Sequence, residues 1–142
     1  MKINIFFFIS DFKFGGAGNA ILNFLKNLNK KKFNVYIIFL GETDYASYIP
    51  NNVKIIKLQK KFLFLNTFFN FFCLKKILEN KIKDSKKNVF ISNIHYSNIL
   101  TIFFLRKIKN LKIFLFERTS IRELDMYFSL ISFIKNKFIK ML

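Results

Sequence analysis

A short glycine-rich segment is the first feature of this sequence with a chemical use. Gly15, Gly16, Ala17 and Gly18 stand directly before apolar residues that recur with helical spacing. The backbone N–H groups of such a loop can approach a phosphate closely, and the dipole of the following helix favours the negative charge. The same glycines could instead serve only a tight turn between a strand and a helix, and the loop alone does not separate the two interpretations.

Four further side chains, those of His95, Asp11, Asp44 and Cys73, are candidates for a chemical role. His95 is the only histidine, and it is suited to general base chemistry or to hydroxyl recognition. A histidine without a carboxylate or metal partner more often has a structural role. Asp11 and Asp44 are predicted in loops, where acids usually cap the chain or are solvated, with contact to a sugar hydroxyl as the functional alternative. Cys73 lies among phenylalanines and is predicted to be an inert core thiol.

The alternation of apolar runs with helical patterns predicts the fold that positions these groups. The runs expected to form strands lie at residues 3–9, 33–40, 53–58, 89–91 and 112–116. Helical spacing, as in Ile21, Phe24, Leu25 and Leu28, follows the glycines and recurs at residues 60–83 and 99–108. Such a sequence predicts βαβ units, hence a Rossmann-like α/β fold with a mainly parallel sheet and helices on both faces.

The carboxyl edge of such a sheet is where ligands bind, so the residues after each apolar run are the candidate site. Those residues are 10–18, 41–48, 92–98 and 117–122. The glycine loop and His95, which is expected in a loop after the fourth strand, are therefore predicted to share one edge.

Length and composition limit the class of protein. A chain of 142 residues is expected to be one domain, and 52% hydrophobic residues predict a packed core despite a formal charge of +17. A single cysteine excludes an intramolecular disulfide and a thiolate metal cluster, so no metal site is predicted and a reducing cytoplasm is favoured. The apolar residues 62–74 fall short of the ~20 needed to cross a bilayer.

The last stretch of the sequence predicts a helix at residues 125–142 whose apolar stripe continues to the final residue without a capping signal. This pattern predicts that the chain is cut from a longer protein.

Blocks spread over almost the whole chain resemble the N-terminal domain of family 4 glycosyltransferases. They are KINIFFFIS at 2–10, GGAGN at 15–19, ILNFL at 21–25, FNVYIIFLG at 33–41, VFISNIHYSN at 89–98 and FLFERTS at 114–120. The resemblance implies a retaining sugar transferase of the two-Rossmann-domain (GT-B) architecture, in which the N-terminal domain holds the acceptor. The paired glutamates that grip the donor belong to the missing domain, so this chain alone is expected to be inactive.

The same resemblance implies roles for particular residues. The Gly15–Gly16 loop would face the diphosphate of a nucleotide-sugar donor, which is a substrate and not a cofactor. Many members carry a histidine at the end of the fifth strand, where this sequence has Glu117 and Arg118. Arg118 could stabilise phosphate charge there and Glu117 could bind a sugar hydroxyl, with His95 as a third candidate.

The segment at residues 60–83 is rich in phenylalanine and lysine and bears on where the protein works. Phenylalanines flanked by lysines could lie in the headgroup region of an anionic membrane. They could equally pack on the sheet, with solvated lysines beside them. Family members that act on lipid-linked acceptors dock through this domain, which favours a peripheral location at the inner face of the cell membrane.

Two other classes of function remain open from the sequence. A small dinucleotide-dependent oxidoreductase would use Gly16, Gly18 and Glu42, but Ile21 replaces the third glycine of that fingerprint. A basic module that binds nucleic acid has little support beyond charge, because lysine greatly outnumbers arginine and no finger or aromatic strand motif occurs. The sugar transferase, without a nucleic acid partner, is the leading prediction.

Overall fold

The fold is a five-stranded sheet in which all neighbouring strands are parallel, in the order β3-β2-β1-β4-β5. The computed structural model of the protein describes residues 2–59, 64–83 and 87–117, with the backbone alone described at residues 64–68, 95 and 96. The elements are β1 (Ile3–Ile9), α1 (Gly16–Asn27), β2 (Phe33–Leu40), β3 (Lys54–Leu58), α2 (Phe64–Ile82), β4 (Asn88–Asn93), α3 (His95–Leu105) and β5 (Leu111–Phe116). The predicted Rossmann-like α/β class is confirmed.

The element bounds differ from the predicted ones mainly around the fourth strand. β1 and β2 have the predicted limits, whereas β4 is longer at both ends because it contains polar residues that an apolar run does not reveal. α3 begins at His95, four residues before the helical spacing becomes apparent. The predicted helix at residues 125–142 lies outside the described residues.

Alternate residues of β1 belong to two separate cores, because successive side chains of a strand point to opposite faces. Phe8 clusters with Phe71 of α2 and Leu105 of α3, and the rings of Phe8 and Phe71 meet edge to face at 5.2 Å. Phe7 clusters with Ile21 of α1. Burial on both sides explains why every residue of β1 except Asn4 is apolar.

α1 buries a slightly different face from the one that spacing predicted. Ile21 and Leu25 are buried as expected, together with Leu22, but Phe24 is 55% exposed. Leu28 is the C-cap, with extended backbone, and not a member of the helix. The packed stripe of α1 is therefore shifted by part of a turn from the predicted one.

Asparagines at the amino edge of the sheet form a ladder across three strands. Asn34, Asn4 and Asn88 are in register on β2, β1 and β4. The Asn34 amide donates to Asn4 Oδ1 at 3.1 Å, and the Asn4 amide donates to Asn88 Oδ1 at 2.8 Å. The Asn4 amide also donates to the Lys81 carbonyl at 3.2 Å, which ties the end of α2 to the sheet.

Candidate functional site

The central strand and its neighbour β4 define a topological switch point. From β1 the chain goes to β2 and β3 on one side of the sheet, then crosses to β4 and β5 on the other. β1 and β4 are paired up to Ile9 and Asn93 at their carboxyl ends. A crevice forms where the chain turns away in opposite directions, and ligands of open α/β sheets bind there. All the predicted site segments follow strands that end at this edge.

Hydrogen bonds tie three strand ends together at the switch point. The backbone N–H of Ser10 donates to Ser97 Oγ at 3.0 Å. The Asn98 amide and the N–H of Ile94 both donate to the Phe116 carbonyl, each at 3.1 Å. The ends of β1, β4 and β5 are therefore held to the first turns of α3.

The interior beside this crevice is unusually polar. The side chains of Ser92, Asn93, Ser97, Asn98 and Thr101 are buried. Within the described residues, Ser92 Oγ, Asn98 Oδ1 and Thr101 Oγ1 have no hydrogen-bond partner. Each unpaired buried polar group costs about 1–3 kcal/mol, so apolar residues would serve a purely structural helix contact better. We name these five residues the buried polar cluster.

Three positions before and within α1 are occupied by glycine, and the physical reason for glycine differs from one position to the next. Gly15 is the N-cap at φ 155° and ψ 174°, a backbone region essentially confined to glycine. A Cβ on Gly18 would lie 2.5 Å from the Lys13 carbonyl oxygen and 2.6 Å from Tyr45 Cε2, so this position requires glycine for packing. A Cβ on Gly16 would meet no atom within 4 Å, and its φ is unexceptional. Neither packing nor conformation requires glycine at 16.

Residues 43–45, in the loop after β2, brace the glycine loop. The three hydrogen bonds are from the Thr43 hydroxyl to the Phe12 carbonyl at 2.6 Å, from the Phe14 N–H to Asp44 Oδ2 at 3.2 Å, and from the Tyr45 hydroxyl to Asn19 Oδ1 at 2.7 Å. The buried Tyr45 ring also packs on Phe12 at 4.8 Å. Sequence reasoning gave Asp44 a capping role but missed Thr43 and Tyr45, which carry no motif.

Of the other predicted site residues, His95 and Glu117 lie at the same edge of the sheet. His95 is the first residue of α3, so its prediction as a loop residue was wrong. The connection between β4 and α3 is a single residue, Ile94, whose positive φ of 75° turns the chain directly from the strand into the helix. Glu117 directly follows β5 and is exposed. β5 is two strands from β1, a lateral separation of roughly 10 Å at the usual strand spacing. Arg118 lies outside the described residues.

A cavity of about 690 Å³ lies over the ends of β1, β2 and β3. Its charged lining comes from Asp11 and Lys13 after β1, Glu42 after β2 and Lys57 of β3. Glu42 and Lys57 form an ion pair across the strand ends. The carboxyl edge thus has two parts, the switch-point crevice and this cavity, with the glycine loop between them.

The outward sides of α2 and α3 expose several large apolar residues. Phe69 is 71% exposed on α2, and Phe103 is 68% exposed on α3. The members of this α2–α3 patch are Phe69, Phe72, Ile99, Ile102 and Phe103. Phe71, which lies between Phe69 and Phe72 in the sequence, is on the opposite side of α2 and is buried, and Cys73 is half-buried. In the described part of the chain, no helix is long and apolar enough to span a bilayer.

Searches of protein-family models and of curated protein sequences found no significant match to this chain. The carboxyl edge of the sheet and the α2–α3 patch are therefore the features that bear on function.

Proposed function

We propose that this chain is the acceptor-side domain of a retaining glycosyltransferase that transfers a sugar from a nucleotide-sugar donor to a lipid-linked or surface-polysaccharide acceptor. The observation that carries the proposal is the open backbone at Gly16, beside the switch point, where neither packing nor φ calls for glycine. A ligand that contacts the backbone closely is a physical reason for a glycine in such a place.

The first turn of α1 suits the diphosphate of a nucleotide sugar. The first N–H groups of a helix have no partner within it, and the earliest bond here is from Asn19 N to the Gly15 carbonyl. No side chain caps the helix, and no acid in its first turn competes for the N–H groups. The helix dipole adds a favourable field for a phosphate.

Polar groups around the crevice suit the hydroxyls of a sugar. The Glu117 carboxylate follows β5 at the same edge, and carboxylates accept hydrogen bonds from hydroxyls. The buried polar cluster lies beneath these strand ends and is not itself exposed to a ligand. In this proposal Arg118 stabilises phosphate charge, His95 is a further candidate from the N-terminus of α3, and the donor domain completes the site.

The α2–α3 patch suits the surface of an anionic membrane. Lys76 lies 4.9 Å from the centre of the exposed Phe72 ring, so a cation stands beside an aromatic member of the patch. Aromatic rings enter the headgroup region while lysines attract anionic lipids, at about 1 kcal/mol for each lysine near the surface. A lipid-linked acceptor would be reached by a domain docked in this way at the inner face of the cell membrane.

Nucleotide binding tests the proposal. We would titrate the ¹⁵N-labelled chain with UDP-glucose, GDP-mannose, NAD and NADP. We expect one of the nucleotide sugars to shift the amide resonances of Gly15 and Gly16, and Gly16→Val to weaken that binding at least tenfold by filling the open space. Asn23→Val, at an exposed position of the same helix, is the matched control.

Two results would count against the proposal. Binding of NAD or NADP without any response to nucleotide sugars would favour the dinucleotide enzyme, with Glu42 at the ribose. Unchanged affinity in Gly16→Val would remove the glycine loop from the site.

A further inference from the structure

In the described part of this strongly basic protein, most carboxylates lie at one edge of the sheet. The described residues contain five acids, and Asp11, Glu42, Asp44 and Glu117 all follow the carboxyl ends of strands. The fifth, Glu79, lies in α2. Asp44 accepts a hydrogen bond from the Phe14 N–H, and the two acids nearest to the ends of β1 and β2 are Asp11 and Glu42. Both of these line the cavity over β1, β2 and β3.

The cavity has the size of a small-molecule site, and its charged lining side chains are exposed to solvent. Its volume of about 690 Å³ falls within the ~300–1,000 Å³ of ligand pockets in general. One wall is fixed where the Gly41 N–H donates to the Leu58 carbonyl at 2.9 Å. Gly41 has φ 72°, a left-handed conformation that lets the chain turn directly after β2. This turn directs Glu42 into the cavity lining.

The charged groups of the cavity come in both signs. Glu42 accepts from Lys57 through Oε1, which leaves Oε2 as an acceptor and two N–H groups of the ammonium as donors. Lys13 is exposed and forms no ion pair with any residue of the described segments. Two ammonium groups therefore face the same space as two carboxylates.

We infer that this cavity binds a phosphorylated polyol of the sugar phosphate class. Lys13 and Lys57 would hold the phosphate, while Asp11 and Glu42 would accept hydrogen bonds from hydroxyls. A bare phosphate would be repelled by the two carboxylates, and a neutral sugar would leave the ammonium of Lys13 without a partner. The identification of this ligand as the acceptor of the transferase rests on the proposed function. Its binding in the cavity does not.

Titration with three probes tests the inference on the full chain. Glucose 6-phosphate, glucose and inorganic phosphate are each added to the ¹⁵N-labelled protein at 0.15 M salt, which screens unspecific attraction. We expect glucose 6-phosphate to bind at least tenfold more tightly than the other two, with amide shifts at Gly41, Glu42 and Lys57. Lys13→Ala and Glu42→Gln should each weaken it about tenfold, the loss of one charged hydrogen bond.

Lys30→Ala is the matched control, because Lys30 is an exposed lysine in the loop between α1 and β2 at the opposite edge. An equal loss in Lys30→Ala, equal binding of inorganic phosphate, or no binding of glucose 6-phosphate would each overturn the inference.

Phosphatidylglycerol vesicles distinguish the two possible sources of the phosphorylated polyol. If the vesicles compete with glucose 6-phosphate, the ligand is a lipid headgroup, and if they do not, it is a soluble compound. Gly16→Val separates the two proposals, since it should spare glucose 6-phosphate while weakening nucleotide sugars.

Discussion

The backbone N–H of Ser10 donates a 3.0 Å hydrogen bond to the hydroxyl of Ser97, a residue 87 positions later in the chain. The bond joins the carboxyl end of β1 to the first turn of α3 across the switch point. Ser97 is fully buried, so water does not compete for this bond. The loop that leads to the glycines thus begins from a point fixed by α3.

Ser97→Ala should lower the free energy of unfolding by about 1–2 kcal/mol, because it leaves the Ser10 N–H without its partner. The amide of Ser10 should also exchange faster with deuterium than in the unmodified chain. Urea denaturation and amide exchange provide the two measurements. Ser47→Ala, at an exposed position, should change neither, and an unaltered Ser10 amide in Ser97→Ala would contradict the bond.

Alanine at two nearby glycines should have opposite consequences. Gly18→Ala should destabilise the fold by about 1–3 kcal/mol, because its Cβ would overlap the Lys13 carbonyl and the Tyr45 ring. Gly16→Ala meets open space and restricts the unfolded chain, so stability should stay the same or rise by up to about 1 kcal/mol. Thermal unfolding of the two variants side by side checks the pair. Equal destabilisation would mean that Gly16 is also required for packing.

The asparagine ladder should be most sensitive at its middle member. Asn4→Ala removes the amide that serves Asn88 and the Lys81 carbonyl, and should cost about 2–3 kcal/mol of stability. Asn34→Ala removes one part-buried bond and should cost about 1 kcal/mol. Urea midpoints at constant slope distinguish the two values. A milder effect at Asn4 than at Asn34 would contradict the ladder.

The α2–α3 patch should determine membrane binding without determining stability. Phe69→Ser combined with Phe103→Ser should reduce cosedimentation with phosphatidylglycerol vesicles several-fold, because both rings are exposed. The melting temperature should hardly change, since exposed positions contribute little to stability. Phe24→Ser, an exposed phenylalanine on α1, is the control. Equal loss of binding in this control would show that the patch is not the docking surface.

The central strands could be predicted from the sequence because β1 and β2 are buried on both faces, so each is an almost continuous apolar run interrupted only by Asn4 or Asn34. The apolar run predicted β4 too short, because its end residues Asn88, Ser92 and Asn93 are polar although they are buried. Polar residues at these positions are typical of a loop. The apolar pattern also missed the start of α3, where no capping side chain precedes the helix and Ile94 turns the chain with positive φ. Conformation of this kind leaves no periodic pattern.

The candidate site was predictable only in outline. The parallel order of the strands brings the loops after them to one edge, so spacing alone located the glycine loop and Glu117. The separate roles of Gly15, Gly16 and Gly18 depend on what surrounds each Cα, which the sequence does not contain. The same holds for Thr43 and Tyr45, since their partners lie on another segment.

The loop after β2 contributes to both halves of the carboxyl edge. Glu42 lines the cavity, and residues 43–45, which follow it directly, are hydrogen-bonded to Phe12, Phe14 and Asn19 on either side of the glycine loop. A ligand that immobilises this loop from one side removes conformational freedom that a second ligand would otherwise have to remove from the other. Occupancy of the two subsites should therefore be positively cooperative, and by thermodynamic linkage each ligand should raise the affinity of the other by the same factor.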